Sequence, residues 1–297
     1  MGWPEQMATR ALLPVFLCLG VVAIACANEP PTVVGDDEPG KMHAVLSVER
    51  SDQALSDTPG SASAVARFVR LPALADASRV LSTAGVTLDL PPVDTCVPSG
   101  SQGEFEAPPA QGGVEFVEAG DVNISTSEIV TPLVPHAFPT VGGFASGVLY
   151  TTKDRTSGAL PEAVPYVISA SGSASVPALR AVVDAPKSPS SVTVGGIPLG
   201  ELLELHTGSM TELAWTPGDA SDVVYAELFA YDGSASVLCT FRDEAGSGKI
   251  PADAFAGIGN GRLGLHRVRS RHLDGASSPS SDVRFDFQVG SAIDFSR

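Results

Sequence analysis

Three arginines at alternate positions, Arg267, Arg269 and Arg271, lie within Leu265-His266-Arg267-Val268-Arg269-Ser270-Arg271-His272. Successive side chains of an extended strand point to opposite faces, so these three guanidiniums share one face. A guanidinium grips a carboxylate or phosphate bidentately. The stripe is therefore a candidate site for an acidic glycan, in a chain whose formal net charge is −16. The competing reading is a solvated sheet face where the arginines meet acidic residues of neighbouring strands, such as the segment Arg284 to Asp286.

Other chemistry is sparse. Gly246-Ser247-Gly248-Lys249 suggests a phosphate loop, but Asp243 stands where the earlier glycine belongs and Ile250 where a magnesium-binding hydroxyl belongs. It reads as a glycine-rich turn. Gly143-Phe144-Ala145-Ser146-Gly147 misses the nucleophile-elbow frame by one residue, and no lysine follows a serine by three. The five histidines, His43, His136, His206, His266 and His272, form no zinc motif; His266 and His272 could share a strand face, with no carboxylate pattern beside them. Paired carboxylates among 34 acidic residues leave glycosidase chemistry open without locating it. Asn123-Ile124-Ser125 fits a glycosylation sequon. No catalytic residue, metal site or cofactor is expected.

Of four cysteines, Cys18 and Cys26 lie in an apolar leader, leaving Cys96 and Cys239 for the folded body. An exported protein can oxidise such a pair and close a loop between its two halves. The alternative is two separate thiols. Cys239 is in phase with Val237 and Phe241, as a core residue would be, whereas Cys96 falls between Pro92 and Pro98 in an expected loop.

The leader supplies the address. Arg10 precedes a charge-free apolar run from Ala11, which has the layout of an export signal. Its end, Ala23-Ile24-Ala25-Cys26, resembles a bacterial lipobox, although Ala23 stands where leucine is usual. That resemblance implies diacylglyceryl attachment to Cys26 as the first mature residue. Two rival cleavages, before Cys26 or before Asn28, would release a lipid-free protein, and a third reading keeps the run as an uncleaved anchor. Residues 26–41 form a Pro- and Gly-containing acidic stretch with Asp36-Asp37-Glu38, expected as a disordered tether.

The rest, about 270 residues, is enough for one large or two ordinary domains. An apolar fraction of 43% supports real cores. The net charge excludes a general nucleic-acid binder, because phosphate backbones would repel it, and it disfavours contact with anionic headgroups. Thirty glycines and 24 prolines punctuate short alternating runs, the pattern of an all-β protein. Residues 42–185 are expected as one β-rich domain, with strands at 44–50, 64–71, 85–90, 114–118, 121–125, 147–152, 166–171 and 178–183. The stretch Asp184-Ala185-Pro186-Lys187-Ser188-Pro189 is the expected boundary.

Residues 186–297 are expected as a second β-sandwich-like domain, with strands near 213–215, 223–231, 236–242, 249–251, 262–271 and 283–289. The last has Val283, Phe285, Phe287 and Val289 on one face and Arg284, Asp286 and Gln288 on the other. Short helical pieces are expected within 63–82 and 197–206. Short strands around an inward Trp215 resemble a fibronectin type III or immunoglobulin-like sandwich, without the Cys…Trp…Cys spacing of a true immunoglobulin domain. The whole chain resembles uncharacterised bacterial lipoproteins with two β-rich domains, on the segments 118–122, 165–169 and 239–251. That resemblance implies an envelope lipoprotein at the outer membrane or cell surface, acting as a non-enzymatic binding or structural module for an envelope protein or acidic glycan. A secreted or tethered hydrolase and a surface adhesin or assembly subunit are the alternatives.

Overall fold

A computed structural model describes residues 41–56, 60–71, 81, 88–98, 114–141, 145–153, 157–202, 204–206, 208–274 and 279–296. The expectations about Cys26, the leader and the tether lie outside these residues, as do 72–80 and 82–87. Strands run in the order β1 (Lys41–Gln53), β2 (Ser61–Leu71), β3 (Thr95–Pro98), β4 (Val114–Phe116), β5 (Val122–Ser125), β6 (Val130–Val141), β7 (Ala145–Thr152), β8 (Pro165–Ala170) and β9 (Leu179–Asp184). They continue with β10 (Thr193–Val194), β11 (Ile197–Pro198), β12 (Glu204–His206), β13 (Thr211–Ala214), β14 (Val223–Ala230), β15 (Ser236–Arg242), β16 (Ser247–Ile250), β17 (Asn260–Leu273) and β18 (Ser280–Ser296). The protein is all-β; no helix of seven or more residues occurs among the described residues.

One open sheet follows the path β3-β15-β14-β17-β18-β1-β2-β4-β7-β6-β5-β8-β9, with β12 added alongside β18. A second, four-stranded sheet follows β11-β10-β13-β16. Two cores result. The first gathers apolar residues from 44 to 185 together with Val283, Phe285 and Phe287 of β18. The second gathers residues from 192 to 295, with Trp215 of the small sheet's side tilted against Phe241 of β15 at 5.9 Å between ring centroids. The stretch from Asp184 to Pro189 lies between most residues of the two cores, but β18, beyond it, contributes to the first. It does not divide the sheet, because β1 lies parallel to β18 from His43↔Ser280 to Gln53↔Gly290. The described residues belong to one compact unit.

Alternation explains most strands. The burial of β9 alternates strictly, and β18 turns Val283, Phe285 and Phe287 inward as its sequence requires. Three expectations change. The described parts of 197–206 are not helical: Gly195 and Gly196 both take positive φ, Val194 pairs with Ile197 around them as a hairpin, and Glu204–His206 is a strand. Cys96 lies in a strand, β3, rather than a loop. The expected strand 85–90 is not extended pairing over its described part, Leu88 to Leu90.

Proline hid β6. Pro132 pairs only toward β5 and Pro135 only toward β7, because β6 changes partner at Leu133. Each proline therefore has a ladder on one side alone, where a missing N–H is tolerated.

Candidate functional site

Strand β17 sorts its charged residues by parity. Arg267, Arg269 and Arg271 share a face with Leu263 and Leu265, the core side of the sheet. Arg267 is buried beside Asp243, its Nε 2.6 Å from Oδ2 and its Nη2 2.8 Å from Oδ1. Trp215 Nε1 donates to the same Oδ1 at 2.9 Å. The remaining guanidinium protons go to the carbonyls of Thr216 and Lys187, at 2.7 and 3.1 Å. Gly218, in the loop that follows β13 and Trp215, closes over the pair: a Cβ there would collide with Asp243 Oδ2.

Arg269 grips Asp222 bidentately, both contacts at 2.7 Å, and reaches the Asp184 carbonyl at 3.3 Å. Arg271 donates to Ser221 Oγ at 3.0 Å and forms no salt bridge among the described residues, though its charge reaches Asp219. Two arginines of the stripe are thus spent on buried aspartates and on the boundary segment. Their partners are not the Arg284–Asp286 segment.

The opposite face is polar. His266 and Asp286 point there, with Nδ1 2.8 Å from Asp286 Oδ1. Tyr225 donates its hydroxyl to Asp286 Oδ2 at 2.9 Å and stacks on the imidazole at 4.1 Å. Asp286 accepts from both, so Nδ1 carries the proton. His266 Nε2 makes no hydrogen bond and faces Glu227 Oε2 at 3.5 Å. Burial disfavours the imidazolium, but the carboxylates of Asp286, hydrogen-bonded to it, and of Glu227 beside it outweigh that and raise the histidine's pKa above its ordinary value. Burial, followed by the charge of Asp286, pushes the Tyr225 phenol far above the ordinary tyrosine range, so it stays a neutral donor.

Farther along this face Asp282 bridges two histidines, His43 of β1 and His272 of β17, at 2.7 Å each. The hydrogen bond to Asp282 raises the His272 pKa, with Asp274 adding to it. Among the described residues no three His, Cys, Asp or Glu side chains are grouped so as to hold a metal ion.

Above His266 the face opens into a cavity of about 480 Å³, whose lining includes Ser51, Ser61, Ser63, Arg284, Asp286 and Gln288. Ser51 also lines a neighbouring cavity of about 240 Å³, with Gln53, Tyr231, Arg262 and Gly290. The two form one polar groove across β14, β17, β18, β1 and β2. The alternation of Arg284, Asp286 and Gln288 marked one strand of it in advance. The other strands come from residues up to 239 positions away, and nothing local in sequence announces that pairing.

Cys96 and Cys239 stand opposite each other in the β3–β15 register, and their sulfurs are bonded. Gly246 to Lys249 is not a phosphate loop: Gly246 caps a short 3-10 turn in the left-handed conformation and Ser247 begins β16. The described part of 143–147 belongs to β7. No described helix is long and apolar enough to cross a membrane.

No protein-family model matches the sequence, and no curated protein matches it. Among solved structures, the chain has a likeness to the Fcho1 Mu homology domain of Danio rerio with a bound Eps15 peptide, at 10% identity and a TM-score of 0.27, covering 86% of this chain and 98% of that one. A second likeness is to a structure bearing on host cell surface retention of a 1.5-MDa bacterial ice-binding adhesin, at 13% identity and a TM-score of 0.21, covering 86% of this chain and 66% of that one. Likenesses at these scores carry no functional argument.

Proposed function

We propose that this protein is a lipid-anchored envelope lipoprotein whose β-rich body is a non-enzymatic binding module. In this reading Cys26 carries the lipid, residues 26–41 hold the body off the membrane, and the second half is a fibronectin type III or immunoglobulin-like sandwich. The polar groove supports the reading best. It exposes hydroxyl, amide, carboxylate and guanidinium groups on a rigid sheet face rather than on loops. Arg271, the member of the arginine stripe without a salt bridge among the described residues, is a lesser anion contact on the other face.

Mass spectrometry of the mature N-terminal peptide tests the anchor. A peptide beginning at diacylated Cys26, and movement of Cys26→Ala from the membrane to the soluble fraction, are expected. A lipid-free start at Cys26 or Asn28 would overturn it.

A hydrolase is the second reading, because Asp286 and His266 form an acid-oriented imidazole pair at a cavity. It lacks a nucleophile in place. Among the described residues no serine oxygen hydrogen-bonds His266, whose Nε2 faces a carboxylate.

A further inference from the structure

We infer that the groove binds an oligosaccharide bearing isolated carboxylates, with Tyr231 as its stacking platform and Arg262 as its carboxylate contact. This inference rests on the binding-module reading and adds the ligand class.

Three observations carry it. First, most charges along the groove are already compensated. Arg284 lies 3.7 Å from Glu49, and His266 lies against Asp286 and Glu227. A ligand of high charge gains little from such a surface, and a polyanion is repelled by the net −16 of the whole chain. Hydroxyls do gain: Ser51, Ser61, Ser63 and Gln288 offer donors and acceptors in rows fixed by the strand spacing. Those rows lie on the adjacent strands β18, β1 and β2 and extend over roughly 10 Å, and Arg262 and Tyr231 continue the polar face toward β17 and β14.

Second, Tyr231 is 60% exposed at the mouth of the smaller cavity. Its ring meets Phe229 edge-on at 6.0 Å, and its backbone N–H is tied to the Asn260 carbonyl at 3.0 Å. An exposed ring held by its neighbours offers an apolar plane beside polar groups, as the flat face of a sugar ring requires.

Third, Arg262 has no carboxylate partner among the described residues. Its one hydrogen bond is from Nη2 to Ser51 Oγ at 3.3 Å. A Cβ at Gly290 would stand 2.6 Å from Arg262 Nε, so the glycine leaves the guanidinium room on the cavity floor. The remaining donors of this planar fork suit one carboxylate taken bidentately.

The test is an array of oligosaccharides in matched pairs, each carrying one glucuronic, galacturonic or mannuronic acid or its carboxyl-reduced alcohol, together with immobilised extended peptides. The native chain, Arg262→Gln and Tyr231→Ala are compared, with thermal unfolding confirming that each variant is folded. The native chain is expected to favour at least one acidic sugar tenfold or more over its reduced partner. Arg262→Gln is expected to erase that preference while keeping the reduced sugar, and Tyr231→Ala to weaken both. Equal retention of acid and alcohol, or a preference that survives Arg262→Gln, overturns the carboxylate assignment. Retention of peptides alone overturns the glycan class and leaves a binding module for protein. Retention of nothing, with groove carboxylates and Tyr231 reacting equally with labelling reagents before and after addition of envelope extract, overturns both.

Discussion

His266 and Arg267 are neighbours on one strand, both basic residues set against aspartates, yet they serve different ends. Arg267 faces the core, is sealed by Asp243, Trp215 and backbone carbonyls, and leaves no surface to a ligand. His266 faces the groove, where Asp286 fixes one nitrogen and the other makes no hydrogen bond. Charge in a sequence does not announce which role it takes; parity along β17 decides it. A charged side chain surrounded by carbonyls and a carboxylate is part of the framework, and one at an open cavity is available for recognition.

The largest expected effect comes from breaking the sealed side. Arg267→Ala leaves Asp243 buried without its cation and should lower unfolding free energy by about 3–5 kcal/mol in urea titration. Substituting both partners by apolar residues should recover much of that loss, since the desolvation penalty of each charge disappears with it. If Arg267→Ala unfolds at the native urea midpoint, the pair is not structural.

Cys96→Ser is expected to cost about 2–4 kcal/mol, seen as a lowered melting temperature that reductant lowers no further. An unchanged melt would mean that the β3–β15 bond does not hold that edge. Gly218→Ala follows, at roughly 1–3 kcal/mol for overpacking against the Arg267–Asp243 pair; no change would show that the turn can yield.

The groove side should answer to pH instead. The folded-state pKa of His266 is raised above its ordinary 6.5. Its contribution to stability is therefore fully present below that value and fades as pH rises through the higher folded pKa. The groups facing it are Asp286 from β18, with Glu227 and Tyr225 from β14. The exposed His272 shifts in the same direction beside Asp282 and Asp274. Stability of the native chain should decline between mildly acidic and alkaline pH, and His266→Gln should flatten that slope. A slope unchanged by the substitution would remove His266 from the account.

Much of this fold was legible because alternation reports burial directly. Alternation puts Val283, Phe285 and Phe287 on one face and Arg284, Asp286 and Gln288 on the other, and the structure packs the first set into the core and turns the second to the opposite, polar face. The stretch Ile197 to His206 reads as a helical piece, but two glycines at positive φ put its start, Ile197–Pro198, into a hairpin, and Glu204–His206 is a strand. The prolines of β6 masked a strand because a single sequence does not show where a strand changes partner.

The groove was illegible for a related reason. Pairing of β1 with β18 joins opposite ends of the chain, and only that pairing brings Ser51 near Gln288 and Arg262. The arginine stripe was visible, but its partners were not. Asp243 and Asp222 come from turns flanking β15 and β14, and Lys187 and Asp184 from the expected boundary.

The most direct test of this division between faces is a binding titration of Arg262→Gln and Arg271→Gln against the same uronic-acid oligosaccharide. Neither arginine forms a salt bridge among the described residues, and they lie on opposite faces of β17. The account predicts a loss of tenfold or more for Arg262→Gln and native affinity for Arg271→Gln. The reverse result, with affinity lost at Arg271 and kept at Arg262, would contradict it and return recognition to the arginine stripe.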